Sequence, residues 1–401
     1  MYLPYRRFDE SEIWQIHSFY FQNIGIKAWQ RGQIPYSGVS NFTEAYKKAR
    51  LFVDNLKLQN HSGPIKVLEI GAGYGEFARN FLAALKEICK VEALDIWSKL
   101  EYHLSDFSQT TLDQLQASGR LDEFAEKLEY KVFDALDKYS GLHQESYELI
   151  MANYLLDQFP ARVFARHKGK YYEKYLSIED PQRYLEKQRA KSFWLWRNRW
   201  IKRLRKQHEF RELDWQSLPL NHREILETCF RSNKDSSLVY SYGSLAALKN
   251  FLQLVKPNGL IVCSDFNMSA KPGFDECEPC YYGNSVAQAV NFEFLYKYFS
   301  AQDELAELEH FKDETGSYQV ALIYEDPIKP LHTLILTRPD YEHSLELGEI
   351  YKKVYHQNWL LRFLYRFLAE LQLACYILVL FMLFFWLLSF GGLEWFRNTF
   401  Q

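Results

Sequence analysis

Lys66-Val67-Leu68-Glu69-Ile70-Gly71-Ala72-Gly73-Tyr74-Gly75-Glu76 holds a strand, a turn and the start of a helix in eleven residues. Lys66 to Ile70 is a short apolar run preceded by the breaker Gly63-Pro64, as a buried strand is. Gly71, Gly73 and Gly75 then allow a sharp turn and a close approach of backbone to a ligand. A helical run from Glu76 to Cys89 follows, and its first N–H groups face the same space as the turn. Together these open a βαβ unit. A dinucleotide site would place its third glycine one residue later, in the pattern G-x-G-x-x-G. Here the spacing is G-x-G-x-G, with the acid Glu69 two residues before the first glycine.

Outward from this turn the pattern repeats. Further strands are expected at Tyr102–Ser105, Tyr130–Phe133, Glu148–Ala152, Leu260–Ser264, Tyr318–Tyr324 and Thr333–Leu336, most of them separated by helical stretches. The last two are close enough to form an antiparallel pair. The expectation is an α/β fold of Rossmann type, with a mostly parallel seven-stranded sheet and helices on both faces. It would occupy residues 61–340. Residues 1–60 read as a helical segment that ends in an amphipathic run from Ala45 to Leu58. Residues 176–240 read as a helical insertion whose stretch from Lys187 to His208 is basic and aromatic.

Residues 341–401 form a region of different character. Leu371 to Leu393 contains no charged residue, which is long enough for an apolar helix to span a bilayer. Arg362 and Arg366 precede it. This bias places the main body at the cytoplasmic face of a membrane, anchored by its C-terminus. A buried helix or an interface helix is the competing reading. The net charge of −3 is unlike that of a nucleic-acid binder. Six cysteines in 401 residues are too few for a disulfide scaffold. Cys277-Glu278-Pro279-Cys280 lacks a second pair of ligands, so no metal is expected. Met1 to Trp14 has no apolar core of a signal peptide.

A second acid should stand at the end of the next strand, where it would bind ribose hydroxyls. Asp95 has the usual spacing from Gly75, but a fresh helical run, Thr110 to Ala117, follows Asp106, and Asp106 is favoured. Asp134 ends the strand after that, either as an adenine contact or as a plain helix cap. The acid-flanked G-x-G-x-G turn resembles the first motif of class I S-adenosylmethionine (SAM)-dependent methyltransferases. Tyr102 to Ser108, Ala152-Asn153-Tyr154-Leu155-Leu156-Asp157-Gln158-Phe159-Pro160, Lys170-Tyr171-Tyr172-Glu173, Pro257-Asn258-Gly259-Leu260, Ser264-Asp265-Phe266 and Ala289-Val290-Asn291-Phe292 are similar, in order, to motifs of one family. It is the MidA-like methyltransferases, which include the mitochondrial complex-I-assembly protein-arginine methyltransferases.

The resemblance covers roughly residues 65–340. It implies a class I fold with SAM as cofactor, held by Gly71, Gly73, Asp106, Asp134 and Asn153, with Asp157 facing the substrate. Glu69 and Gly75 complete the cofactor set read from the residues themselves. Tyr154 stands where the family has a glutamate. Arginine stays protonated near neutral pH, so loss of a carboxylate weakens that substrate assignment. A protein side chain is the first expectation for the substrate, with Asp157 and Tyr154 beside it. A small molecule or lipid is the alternative, and an inactive assembly factor with this fold is the third.

Overall fold

Strand β2 (Ile65–Ile70) lies in the middle of the main sheet, with β3 (Leu100–Asp106) on one side and β5 (Tyr147–Asn153) on the other. Beyond β3 comes β4 (Leu128–Val132), and beyond β5 comes β10 (Val255–Phe266). These five strands are parallel throughout. The computed structural model describes residues 2–30, 34, 40–58, 63–137, 142, 146–182, 201, 204–230, 235–268, 270–301, 305–306, 310–312 and 317–324.

The central strands carry apolar side chains on both faces because they divide two cores. Val67, Leu149, Met151, Leu260 and Val262 pack on one face, with the helices Phe42–Lys57, Glu76–Val91 and Gln109–Ala117. Leu68, Ile70, Ile150, Ala152 and Ile261 pack on the other, with the helices Tyr242–Leu254 and Phe292–Ser300. A strand buried on both faces has no polar side to show.

The strands expected around the turn are found, each lengthened by a residue or more. Three expectations are corrected. The sheet has eight strands among the described residues, because β14 (Leu305–Ala306), β15 (His310–Lys312) and β16 (Ser317–Tyr324) join it antiparallel beyond β10. Strand β16 pairs directly with β10; Thr333–Leu336 lies outside the described residues. Among the described residues the insertion is mainly a second, antiparallel sheet with the helix Leu220–Cys229, and it begins earlier than residue 176; most of its basic aromatic stretch, 187–208, lies outside the described residues. This sheet contains β6 (Arg162–His167), β7 (Lys170–Ile178), β8 (Lys206–Glu212) and β9 (Ser236–Tyr240), with short β1 (Arg6–Arg7) and β11 (Lys271–Pro272) at its edges, and a separate hairpin is formed by β12 (Cys280–Tyr282) and β13 (Ser285–Ala287). The third correction is that β1 adds a strand to the N-terminal segment expected to be helical.

Within the hairpin β6–β7, Arg162 and Glu173 form a two-pronged ion pair, and Glu173 is 3% exposed. A buried carboxylate needs such a partner. The N-terminal segment belongs to the same unit, Met1–Leu336, as the sheets. Its helix Glu12–Ile24 is capped by the Ser11 hydroxyl and buries Ile13, Trp14, Ile16, His17, Tyr20 and Phe21. Among the described residues, no helix is long and apolar enough to cross a membrane. The stretch expected to do so, 371–393, lies outside them.

Candidate active site

Across the sheet the five parallel strands lie β10-β5-β2-β3-β4, so the connections leave β2 in opposite directions on its two sides. Open α/β sheets bind ligands at such a point, outside the strand C-termini. A cavity of about 250 Å³ opens there. Its wall takes residues from the C-terminal end of every parallel strand: Glu69 to Tyr74, Asp106 and Phe107, Phe133 to Leu136, Asn153 to Leu155, and Phe266.

The turn after β2 is held from beneath. Backbone N–H groups of Gly71 and Ala72 both donate to the Ser105 carbonyl, at 2.9 and 2.8 Å. The Ser105 hydroxyl returns a bond to the Glu69 carbonyl at 2.8 Å. All three glycines have positive φ, at 82°, 50° and 71°. A Cβ on Gly73 would lie 3.2 Å from the Trp29 indole, so the indole and the turn face each other closely. Gly75, expected in the cofactor set, is not among the residues that line the cavity. It precedes the helix Glu76–Val91 in left-handed conformation, and a Cβ there would meet Leu115 at 2.8 Å. Its requirement is for packing and backbone shape.

The buried Asp106 carboxylate accepts N–H groups from Gly73 and Ser108, the latter at 2.9 Å. Burial still pushes it up to about 6. Asp95, the rejected alternative, is exposed beside the helix Ile96–Lys99 and pairs with Lys99 at 2.5 Å. Asp134 lines the cavity and accepts the Leu136 N–H at 2.9 Å; what it caps is a turn, since no helix follows it among the described residues. Glu69 is buried, accepts the Tyr102 hydroxyl, and is pushed up to about 8 by burial. Asn153 accepts the Lys48 ammonium through Oδ1, while its buried Nδ2 has no partner among the described residues.

Tyr154 has φ 50° and stacks on Phe266, with ring centres 4.9 Å apart. A non-glycine residue in that conformation is strained, and such strain collects at functional sites. Asp157 is 2% exposed, lines the same cavity, and accepts the Gln158 amide. Burial pushes it up to about 7.

Sequence reasoning missed the cover of the site. Trp14, His17, Ser18, Phe21 and Trp29, from the N-terminal helices, line the cavity. Lys48 was also missed. Its ammonium is buried beside Asn153, 5.0 Å from the centre of the Phe77 ring, and burial lowers it to about 8. Among the described residues, His208, Asp275 and Glu278 could together meet a metal, but the Lys174 ammonium already bonds Asp275 and Glu278.

The chain matches the family model Methyltransf_28 over residues 49–288, more than half its length. It belongs to this family of S-adenosyl-L-methionine-dependent methyltransferases. Its fold is similar to that of a COG1565 superfamily member from Burkholderia thailandensis bound to S-adenosyl-homocysteine, with TM-score 0.52 and 13% identity over 80% of this chain and 88% of that one. An uncharacterized COG1565 superfamily protein from the same organism, in its native structure, gives TM-score 0.51 and 13% identity over 80% and 87%. No curated protein matches the chain.

The site residues fit the cofactor of this family. The positive-φ turn at Gly71 and Gly73 leaves room for a ligand against backbone. Asp106 offers a carboxylate acceptor in the cavity, and the unpartnered Asn153 Nδ2 offers a donor.

Proposed function

We propose that the protein transfers a methyl group from SAM to a side chain of another protein. One observation carries this reading: a single cavity joins the glycine turn to Asp157 and Tyr154. Cofactor and acceptor would therefore share one enclosed space. In this reading Gly71 and Gly73 let backbone close on the cofactor. Asp106 holds the ribose, Asp134 meets the adenine edge, and Asn153 and Glu69 serve the methionine end. The cofactor, when bound, supplies a methyl group on a positively charged sulfur. The chain's own residues align that carbon with the acceptor and exclude water. Asp157 takes a proton if the acceptor arrives protonated.

Arginine is the less supported side chain, because the strand end offers one carboxylate to the cavity and Tyr154 where a second would stand. The stacked pair Tyr154–Phe266 favours a second reading, a flat small molecule or a lipid headgroup. Attachment to the cytoplasmic face of a membrane through 371–393 is proposed on sequence alone.

Calorimetric titration of the full chain with SAM tests the cofactor site. Wild type should bind and Gly73→Arg should not, since its side chain would enter the cavity beside Trp29. Absence of binding by the wild type would overturn the reading. Incubating lysate with methyl-tritiated SAM then separates the substrates: label in protein supports the first reading, label in the lipid or small-molecule fraction the second.

A further inference from the structure

Asp265 sits one residue from the end of β10, fully buried, and unlike Asp157 it does not line the cavity. Its Oδ2 accepts the backbone N–H of Asp157 at 3.0 Å, and its Oδ1 accepts the Phe266 N–H at 2.8 Å. The Leu156 N–H is a third donor. The two acids thus lie back to back, one wholly enclosed and one open to the cavity. Every element packed around Asp157 supplies neutral groups. The Gln158 amide donates to Oδ1. Gln288 donates its N–H to the Asp157 carbonyl at 2.8 Å. Ser244, from the helix Tyr242–Leu254, bonds the Leu156 carbonyl at 2.8 Å. The Tyr282 hydroxyl lies within electrostatic reach. Among the described residues no lysine, arginine or histidine contributes to either acid.

We propose that Asp265 is a positioning residue: a fixed anion that makes Asp157 the proton acceptor for the methyl-accepting group. The proposal rests on the methyltransferase reading above. Three N–H donors stabilise charge on Asp265, and nothing comparable does so on Asp157. Two adjacent buried carboxylates resist being charged together, so the pair holds one proton near neutral pH. Burial pushes both acids up, and the charge of Asp157 pushes Asp265 further; the three N–H donors oppose that push on Asp265 alone, so Asp157 is the acid that gives up and takes back its proton near neutral pH. A carboxylate of that basicity suits general-base work at neutral pH. In the step, a lone pair of the acceptor bonds to the methyl carbon. The carbon–sulfur bond breaks with its electrons kept by sulfur, and the acceptor's proton passes to an Asp157 carboxylate oxygen.

The test needs no substrate. Full-length protein labelled with ¹³C at aspartate carboxyls is titrated by NMR from pH 4 to pH 9, and the Asp157 signal is assigned by its loss in Asp157→Asn. Wild-type Asp157 should titrate near neutrality. In Asp265→Asn its midpoint should fall by about one pH unit or more, a tenfold change in proton affinity. Asp265→Glu, which keeps the charge, should hold the midpoint within a few tenths of wild type. A wild-type midpoint below about pH 5, the ordinary carboxylate range, overturns the proposal without any variant. An unmoved midpoint in Asp265→Asn also overturns it. SAM titration of the same wild-type sample separates the two levels. Binding with an unmoved midpoint sinks the role of Asp265 alone, whereas absent binding sinks the methyltransferase site itself.

Discussion

A lysine on an amphipathic helix ordinarily leaves its ammonium in water. Lys48 is 2% exposed and places its ammonium on Asn153 Oδ1. That contact fixes which end of the amide is left over: the oxygen is taken, so the N–H₂ group is the free donor. Lys48→Met should therefore weaken SAM binding about tenfold, or about 1.4 kcal/mol, with the fold retained by circular dichroism. Calorimetry measures it; affinity equal to wild type would show that Asn153 needs no orienting. Asp106, Asp134, Asn153 and Asp157 could be singled out in the sequence because each stands at or just beyond the end of an expected strand. Lys48 and His17 could not. A lysine at helical spacing looks like a solvated face, and the burial of His17, which accepts the Val286 N–H at 3.2 Å, comes from a hairpin far along the chain.

At the scale of elements, the parallel strands were legible because burial on both faces leaves a continuous apolar run. The second sheet was not. β8 reads Lys-Gln-His-Glu-Phe-Arg-Glu, with no apolar alternation, because it is an edge strand that pairs with β7 alone. Its position depends on backbone bonds to β7, which composition does not reveal. Two residues seat the helices Tyr242–Leu254 and Phe292–Ser300 against their neighbours. A Cβ on Gly243, in the helix Tyr242–Leu254, would lie 2.5 Å from the Pro160 carbonyl oxygen. Gly243→Ala should thus destabilise the protein by about 1–3 kcal/mol, read as a lower denaturation midpoint in urea. Asn291 is fully buried. It caps the helix Phe292–Ser300 by accepting the Phe294 N–H at 3.1 Å, and it donates to the Val239 carbonyl at 2.9 Å. Asn291→Ala should cost about 2 kcal/mol from the lost cap and the orphaned carbonyl. Asn291→Asp keeps the cap but loses the donor, so urea titration should show it destabilised as well; stability equal to wild type would remove the Val239 bond from the account.

The molecule as a whole should respond to pH through its buried acids. Glu69 is raised from an ordinary 4.5 to about 8, and Asp157 to about 7. The folded state keeps protons that the unfolded chain gives up, so the stability they confer is lost as pH rises through those values. His17, lowered to about 4, works in the opposite direction, but its window closes at its unfolded value of 6.5. Melting temperature should therefore fall between pH 6.5 and pH 8, and Glu69→Gln should flatten the fall in scanning calorimetry. Lys48, lowered from 10.5 to about 8, reverses the slope above pH 8. An unchanged slope in Glu69→Gln would show that the carboxyl is not held protonated. The N-terminal cover has a practical consequence of its own. Trp29 stands against Gly73, so among the ten tryptophans it is the indole whose emission should change when something settles in the turn, read as the difference between wild type and Trp29→Phe with no dye attached.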